Sequence, residues 1–114
     1  MNWTVAIFNS AVEAEIQALP TSLRARLAVL IDRIEQVGLD GMREPHVKHV
    51  DGKIWELRAK SPDGIARGFY VAAAGRRVVI VHVIAKKTQK TPRAALEIAK
   101  ERAALAIANT TEGG

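Results

Sequence analysis

An α+β fold is what the 114-residue sequence predicts: an antiparallel sheet of about four strands, an N-terminal helical hairpin and a C-terminal helix. Three observations carry that expectation. Apolar residues recur at helical spacing up to residue 37 and again from residue 91. Between those stretches lie runs rich in β-branched and aromatic residues, separated by Gly, Pro and Asp turn signals. The chain is long enough for one core but short for two, since a domain of this size buries roughly 65% of its unfolded surface.

The elements follow in order. Residues 3–8 (WTVAIF) are apolar and β-prone, the pattern of a first strand. Ser10, with Glu13 three residues on, has the form of a capping box, and Val12, Ile16 and Leu19 give a short helix to about Leu19. Pro20 breaks it. Thr21 or Ser22 caps a second helix whose stripe is Leu23, Leu27, Leu30, Ile31 and Ile34, and Gly38 ends it. The short break between the helices suggests a hairpin laid mainly on one face of the sheet. Residues 41–50 are weakly patterned, and Asp51-Gly52 is a turn signal.

Residues 53–59 form a strand with Trp55 and Leu57 on one face and Glu56 and Arg58 on the other. The turn Ser61-Pro62-Asp63-Gly64, of the type I pattern, leads into a strand over residues 65–73, and Gly75 turns the chain again. Residues 76–85 are apolar almost throughout, which places that strand centrally with both faces covered. Thr91 caps a last helix with Pro92 at its first position, running to about Ala108. Residues 1–108 thus make one domain, and residues 109–114 read as a flexible tail.

Composition narrows the function. Residues 43–93 carry 12 Lys and Arg against 4 Asp and Glu, whereas the flanking segments are slightly acidic, so the net charge of +5 belongs to the middle of the chain. A localised positive field favours polyanions by counterion release and steering. Lys86, Lys87 and Lys90 sit between the central strand and the last helix, held by a scaffold rather than on a tail. Two Trp, two Phe and one Tyr are too few for an extended base-stacking platform, and Trp3 and Trp55 are assigned to the core. With no cysteine the chain has neither disulfides nor thiolate metal sites, which fits the reducing cytoplasm. The N-terminus has no secretory pattern, and no apolar run reaches the ~18 residues of a membrane span.

The segments Ile54-Trp55-Glu56-Leu57-Arg58, Arg67-Gly68-Phe69-Tyr70, residues 81–92 (VHVIAKKTQKTP) and residues 97–102 (EIAKER) together resemble the HigB-like toxins of the RelE/ParE superfamily, in the phage-derived branch. The resemblance covers nearly the whole chain and is tightest from Ile54 to Arg102. It implies a RelE-like fold and a ribosome-dependent mRNA endonuclease, the toxin of a type II toxin–antitoxin pair. The implied reaction is attack by the substrate's own 2′-hydroxyl, with no metal and no cofactor. The implied partners are a cognate antitoxin, at least partly acidic, the ribosome with its mRNA, and operator DNA only through the antitoxin. Two other readings stay open: a ParE-like toxin acting on DNA gyrase, and a non-catalytic nucleic-acid-binding regulator.

The chemistry of that reaction selects side chains. Cleavage needs a proton acceptor, positive charge for the phosphorane-like transition state and a proton for the leaving 5′-oxygen. Arg58 and Arg67 are the phosphate-binding guanidiniums, Arg67 on the strength of the resemblance; the alternatives are a cross-strand pair to a carboxylate such as Glu56 or Asp63 for Arg58 and a structural pair for Arg67. Lys86, Lys87 and Lys90 are transition-state or rRNA contacts, or a solvated basic loop. Tyr70, His82, His46 and His49 are the acid–base candidates. Against them, strand parity puts Tyr70 opposite Arg67 unless a bulge at Gly68 intervenes, and His82 lies in an apolar run that suits a core histidine. His46 and His49 are three apart, but Pro45 and the lack of a third ligand argue against a metal pair. Arg102 reads as a structural ion-pair partner.

Overall fold

A computed structural model describes residues 3–43, 46–73, 75–87 and 90–113, without the side chains of 109–113. Eight principal elements run in the order β1 (Thr4–Ile7), α1 (Ser10–Gln17), α2 (Thr21–Val37), β2 (Val47–Asp51), β3 (Ile54–Ser61), β4 (Gly64–Ala73), β5 (Arg77–Lys86) and α3 (Arg93–Gly113), with a 3-10 turn at Leu39–Gly41. The sheet has five strands in the order β1-β5-β4-β3-β2. The α+β class stands, but the sheet is mixed rather than antiparallel. β1 runs parallel to β5, from Thr4↔Arg77 to Ile7↔Ile80, while the other three pairings are antiparallel.

The unexpected strand is β2. Its sequence, VKHVD, does not alternate, and only Val47 is buried. Its place comes from the free edge of β3, with a register shift between His49 and Asp51, and its exposed lysine and histidine suit an outer strand.

Helices cover both faces, not one. α1 lies chiefly on β5 and α2 chiefly on β3, so the two pack on the sheet rather than on each other as a hairpin. They bury Val12, Leu23, Leu27 and Ile34 against Leu57, Tyr70, Val78 and Ile80. α3 covers the opposite face with a small-residue stripe, Ala95, Ala99, Ala103 and Ala106, which lets it lie close over Phe69, Val71, Val79 and Val81. β5 is covered on both sides as its apolar run requires. Trp3 packs at the edge of the first core, but Trp55 is 40% exposed and lies edge-on to His49, outside the core assigned to it.

The helix caps differ from expectation. Asn9, not Ser10, caps α1, accepting from the Val12 amide. α2 starts after Pro20 with no side-chain cap, and Ser22 instead bonds Ser61 and Asp63, tying the helix to the β3–β4 turn. α3 begins at Arg93, its first bond running from Leu96 N–H to the Pro92 carbonyl, and it continues past Ala108 to Gly113. No helix among the described residues is long and apolar enough to cross a membrane.

Candidate functional site

The basic residues are organised by strand register. Across β3, β4 and β5 the rows are Glu56–Phe69–His82, Arg58–Arg67–Ile84 and Lys60–Ile65–Lys86. Alternate residues share a face, so Glu56, Arg58, Lys60, Arg67 and Lys86 all belong to the face that α3 partly covers. The Arg58 N–H donates to the His46 carbonyl and so points away from β4. Arg58↔Arg67 is therefore a non-hydrogen-bonded pair, the closer of the two antiparallel spacings. Two guanidiniums side by side need a counter-charge, and Glu56, one row back, supplies it.

Glu56 and Arg67 are fully buried (0% exposed). Glu56 Oε1 accepts from Arg58 Nε and, at 3.0 Å, from Arg67 Nη1, while Oε2 accepts from Thr91 Oγ1 at 3.0 Å. Burial pushes the Arg67 guanidinium down from its ordinary value and Glu56 pulls it back. Thr91, expected as a helix cap, thus anchors the start of α3 to the network. Both readings of Arg58 converge here: it pairs with Glu56 and stays at the rim, its side chain 14% exposed.

Lys86, Lys87 and Lys90 are all exposed; Thr88 and Gln89 between them lie outside the described residues. Gly64, with φ of 129°, lets the β3–β4 turn press against this segment, where a Cβ would come within 3.1 Å of the Lys86 carbonyl oxygen. Lys60 and Lys87 both line a depression of about 300 Å³, together with Ser61, Pro62, Gly64 and Ile65.

The acid–base candidates separate. Tyr70 is packed in the α1/α2 core on the face opposite Arg67, and burial raises its hydroxyl to about 12, which removes it from the site. The register shift in β4–β5 falls at Phe69/Tyr70, not at Gly68, so it does not rescue Tyr70. His82 stacks on Phe69 and faces the Glu15 Oε1 at 2.9 Å through Nδ1. Arg102 donates to Glu15 and to the Val81 carbonyl, as its structural role required. His82 belongs to that joint between α1, β5 and α3, one strand beyond Phe69 from Glu56. His49 bonds the Gly52 carbonyl beside Trp55, away from the arginines.

Of the four, His46 is the one that shares a described cavity with Arg58. That cleft, about 460 Å³, lies between α2 and the end of β3 and is lined by Arg26, Val29, Leu30, Arg33, His46, Arg58, Ala59 and Lys60. Sequence reading passed over Glu56 and Thr91 as site residues, although a carboxylate two residues from Arg58 on one strand face was the available signal. Arg26, Arg33 and Lys60 carried none, because α2 and β3 meet only in three dimensions.

One end of the sheet thus holds a carboxylate-braced arginine pair, Arg67 buried and Arg58 at the rim, with exposed lysines and a histidine in the adjoining cleft. No curated protein matches the chain. Residues 14–104 match the family described as phage-derived protein Gp49-like (DUF891), and the chain belongs to that family.

Proposed function

We propose that this chain is the toxin of a type II toxin–antitoxin pair, a ribosome-dependent endonuclease that cuts mRNA without a metal and so stops translation. The observation that carries the reading is the stacking of the Arg58–Arg67 row beside the Lys60–Lys86 row, with Lys87 and Lys90 exposed next to them and His46 in the cleft that Arg58 lines. Membership of a family associated with RelE/HigB-like toxins supports it.

In this reaction the 2′-oxygen attacks the adjacent phosphorus, a 2′,3′-cyclic phosphate forms, and the 5′-oxygen leaves with a proton. Arg58 and the lysines hold the non-bridging oxygens as charge accumulates. His46, an imidazole in the cleft that Arg58 lines, is the group placed to move the proton. Arg67 and Glu56 act through Arg58: they fix its guanidinium rather than touch the phosphate. Arg67 therefore changes role from the expected phosphate clamp to a positioning residue. The partners of this reading are the ribosome with its message and an acidic antitoxin, with operator DNA reached only through the antitoxin.

Primer extension on a message in a reconstituted translation reaction tests it. Codon-phased cuts that need ribosomes, and that Arg58→Ala reduces by about 10²-fold while leaving the melting temperature near the parent's, are expected. An intact message with inhibited DNA supercoiling sinks the reading in favour of gyrase, and an intact message with no effect on either target leaves a binding protein.

A further inference from the structure

Trp55 stands at the opposite end of β3 from the lysine rim; five residues of strand, about 17 Å, separate it from Lys60. It shares a face with Leu57, which is fully buried, yet it is 40% exposed. The path of α2 explains the difference. At its start α2 is tied to the β3–β4 turn, through Ser22 with Ser61 and Asp63. Near its end it reaches β1, where Glu35 Oε2 accepts from the Val5 amide at 3.2 Å. The helix therefore crosses the sheet diagonally and leaves the first turnward residues of β3 uncovered. The indole there is held in place. His49, its register partner on β2, meets it edge-on, with ring centroids 5.1 Å apart and planes at 67°. The imidazole is itself fixed, donating from Nε2 to the Gly52 carbonyl at 2.7 Å.

The surroundings of this ring are cationic. The exposed residues of the 47–55 hairpin are Lys48, His49, Gly52, Lys53 and Trp55. Its one carboxylate, Asp51, is paired with Lys100 of α3 at 2.6 Å. We propose that Trp55 is a stacking site for one unpaired RNA base, with Lys48 and Lys53 taking the phosphates beside it. A rigid aromatic flanked by lysines is what single-strand binding uses: the ring takes a base, the cations take the backbone. A protein hot spot or a bilayer would need apolar neighbours around the ring, and Val47 and Ile54 are buried. The base must be unpaired, because a duplex leaves no face free to stack. The inference rests on the reading of the chain as one that acts on RNA. It adds a base-dependent contact outside the Arg58 cleft, where charge alone would hold the strand.

NMR of the full-length protein, read at its two indole N–H signals and assigned with Trp55→Tyr, tests it. Octauridylate is expected to move the Trp55 signal and leave that of Trp3 in place. Inorganic polyphosphate of matched charge, which carries no bases, is expected to bind without moving either. By calorimetry, Trp55→Leu is expected to weaken octauridylate about tenfold and polyphosphate not at all, and Trp55→Tyr to restore most of the loss. If Trp55→Leu does not fold, the indole shifts of the parent decide the matter. A Trp55 signal that octauridylate leaves unmoved, or that polyphosphate moves equally, overturns the proposal, as does parent-like RNA affinity in a folded Trp55→Leu. Cleavage in the translation reaction is read separately. Codon-phased cuts with a silent Trp55 overturn the stacking site alone, and a shifted Trp55 with an intact message overturns the nuclease alone.

Discussion

Glu56 is the residue on which the basic end of the sheet depends. It brings two guanidiniums and a hydroxyl to one carboxylate inside the fold. Its removal leaves Arg67 buried without this counter-charge, a situation that costs about 3 kcal/mol or more. Glu56→Ala is accordingly expected to lower the urea midpoint far more than Arg58→Ala does, because Arg58 reaches solvent; equal midpoints for Glu56→Ala and the parent would show that the carboxylate is not what holds Arg67. Tyr70 allows an independent check of the core, since it is the one tyrosine of the chain. Its folded value of about 12 lies above the ordinary 10.0. The folded state thus holds this proton more tightly than the unfolded state, so its contribution to stability is complete below about pH 10 and is lost as pH rises from there through about 12. A tyrosinate absorbance titration should stay flat near pH 10; a transition there would place the hydroxyl in solvent.

The elements meet at joints that local pattern does not announce. At the β5 irregularity, Glu15 of α1 accepts from the Val83 amide and from Arg102 of α3 and faces His82. Burial raises the Glu15 carboxyl, but the Val83 amide, Arg102 and His82 together outweigh it and hold the group below its ordinary 4.5. A depressed folded value means stability that is present above about pH 4.5 and lost as pH falls through the folded value. Glu15→Gln is expected to be less stable than the parent at pH 7 and to converge on it in acid; parallel unfolding curves from pH 7 to pH 3 would contradict that. β2 and the parallel β1–β5 pairing belong to the same scale. VKHVD has no alternation to read, and TVAI fixes a strand without its partner or direction, because β5 lies some seventy residues away and both orientations bury the same side chains.

Over the whole molecule, the +8 balance of residues 43–93 reaches the surface unevenly. Arg58 and Arg67 pair with an internal carboxylate, Lys60, Lys86, Lys87 and Lys90 stand exposed at one end of the sheet, and Arg43, Lys48, Lys53, Arg76, Arg77 and Arg93 are exposed as well; Arg26 and Arg33, outside that segment, line the cleft. Affinity for a single-stranded RNA should therefore fall steeply with salt. If Lys86, Lys87 and Lys90 each meet one phosphate, replacing all three with alanine flattens the log–log slope by about 2, as read by fluorescence anisotropy. An unchanged slope would move the phosphate contacts elsewhere.

By itself the sequence determined the helical stripes, the turns at Pro20, Gly64 and Gly75, the buried run of β5, the opposite facing of Arg58 and Leu57, and a basic centre. These follow from periodicity, turn chemistry and charge counts, all properties of neighbours along the chain. Tertiary structure alone decided that α3 lies on the face opposite α1 and α2, that β1 pairs in parallel, that Thr91 serves Glu56 instead of a helix end, that Tyr70 is sealed away from Arg67, and that α2 and the end of β3 enclose a basic cleft. Each of those depends on residues distant in sequence competing for the same space and the same hydrogen bonds, which no local window contains.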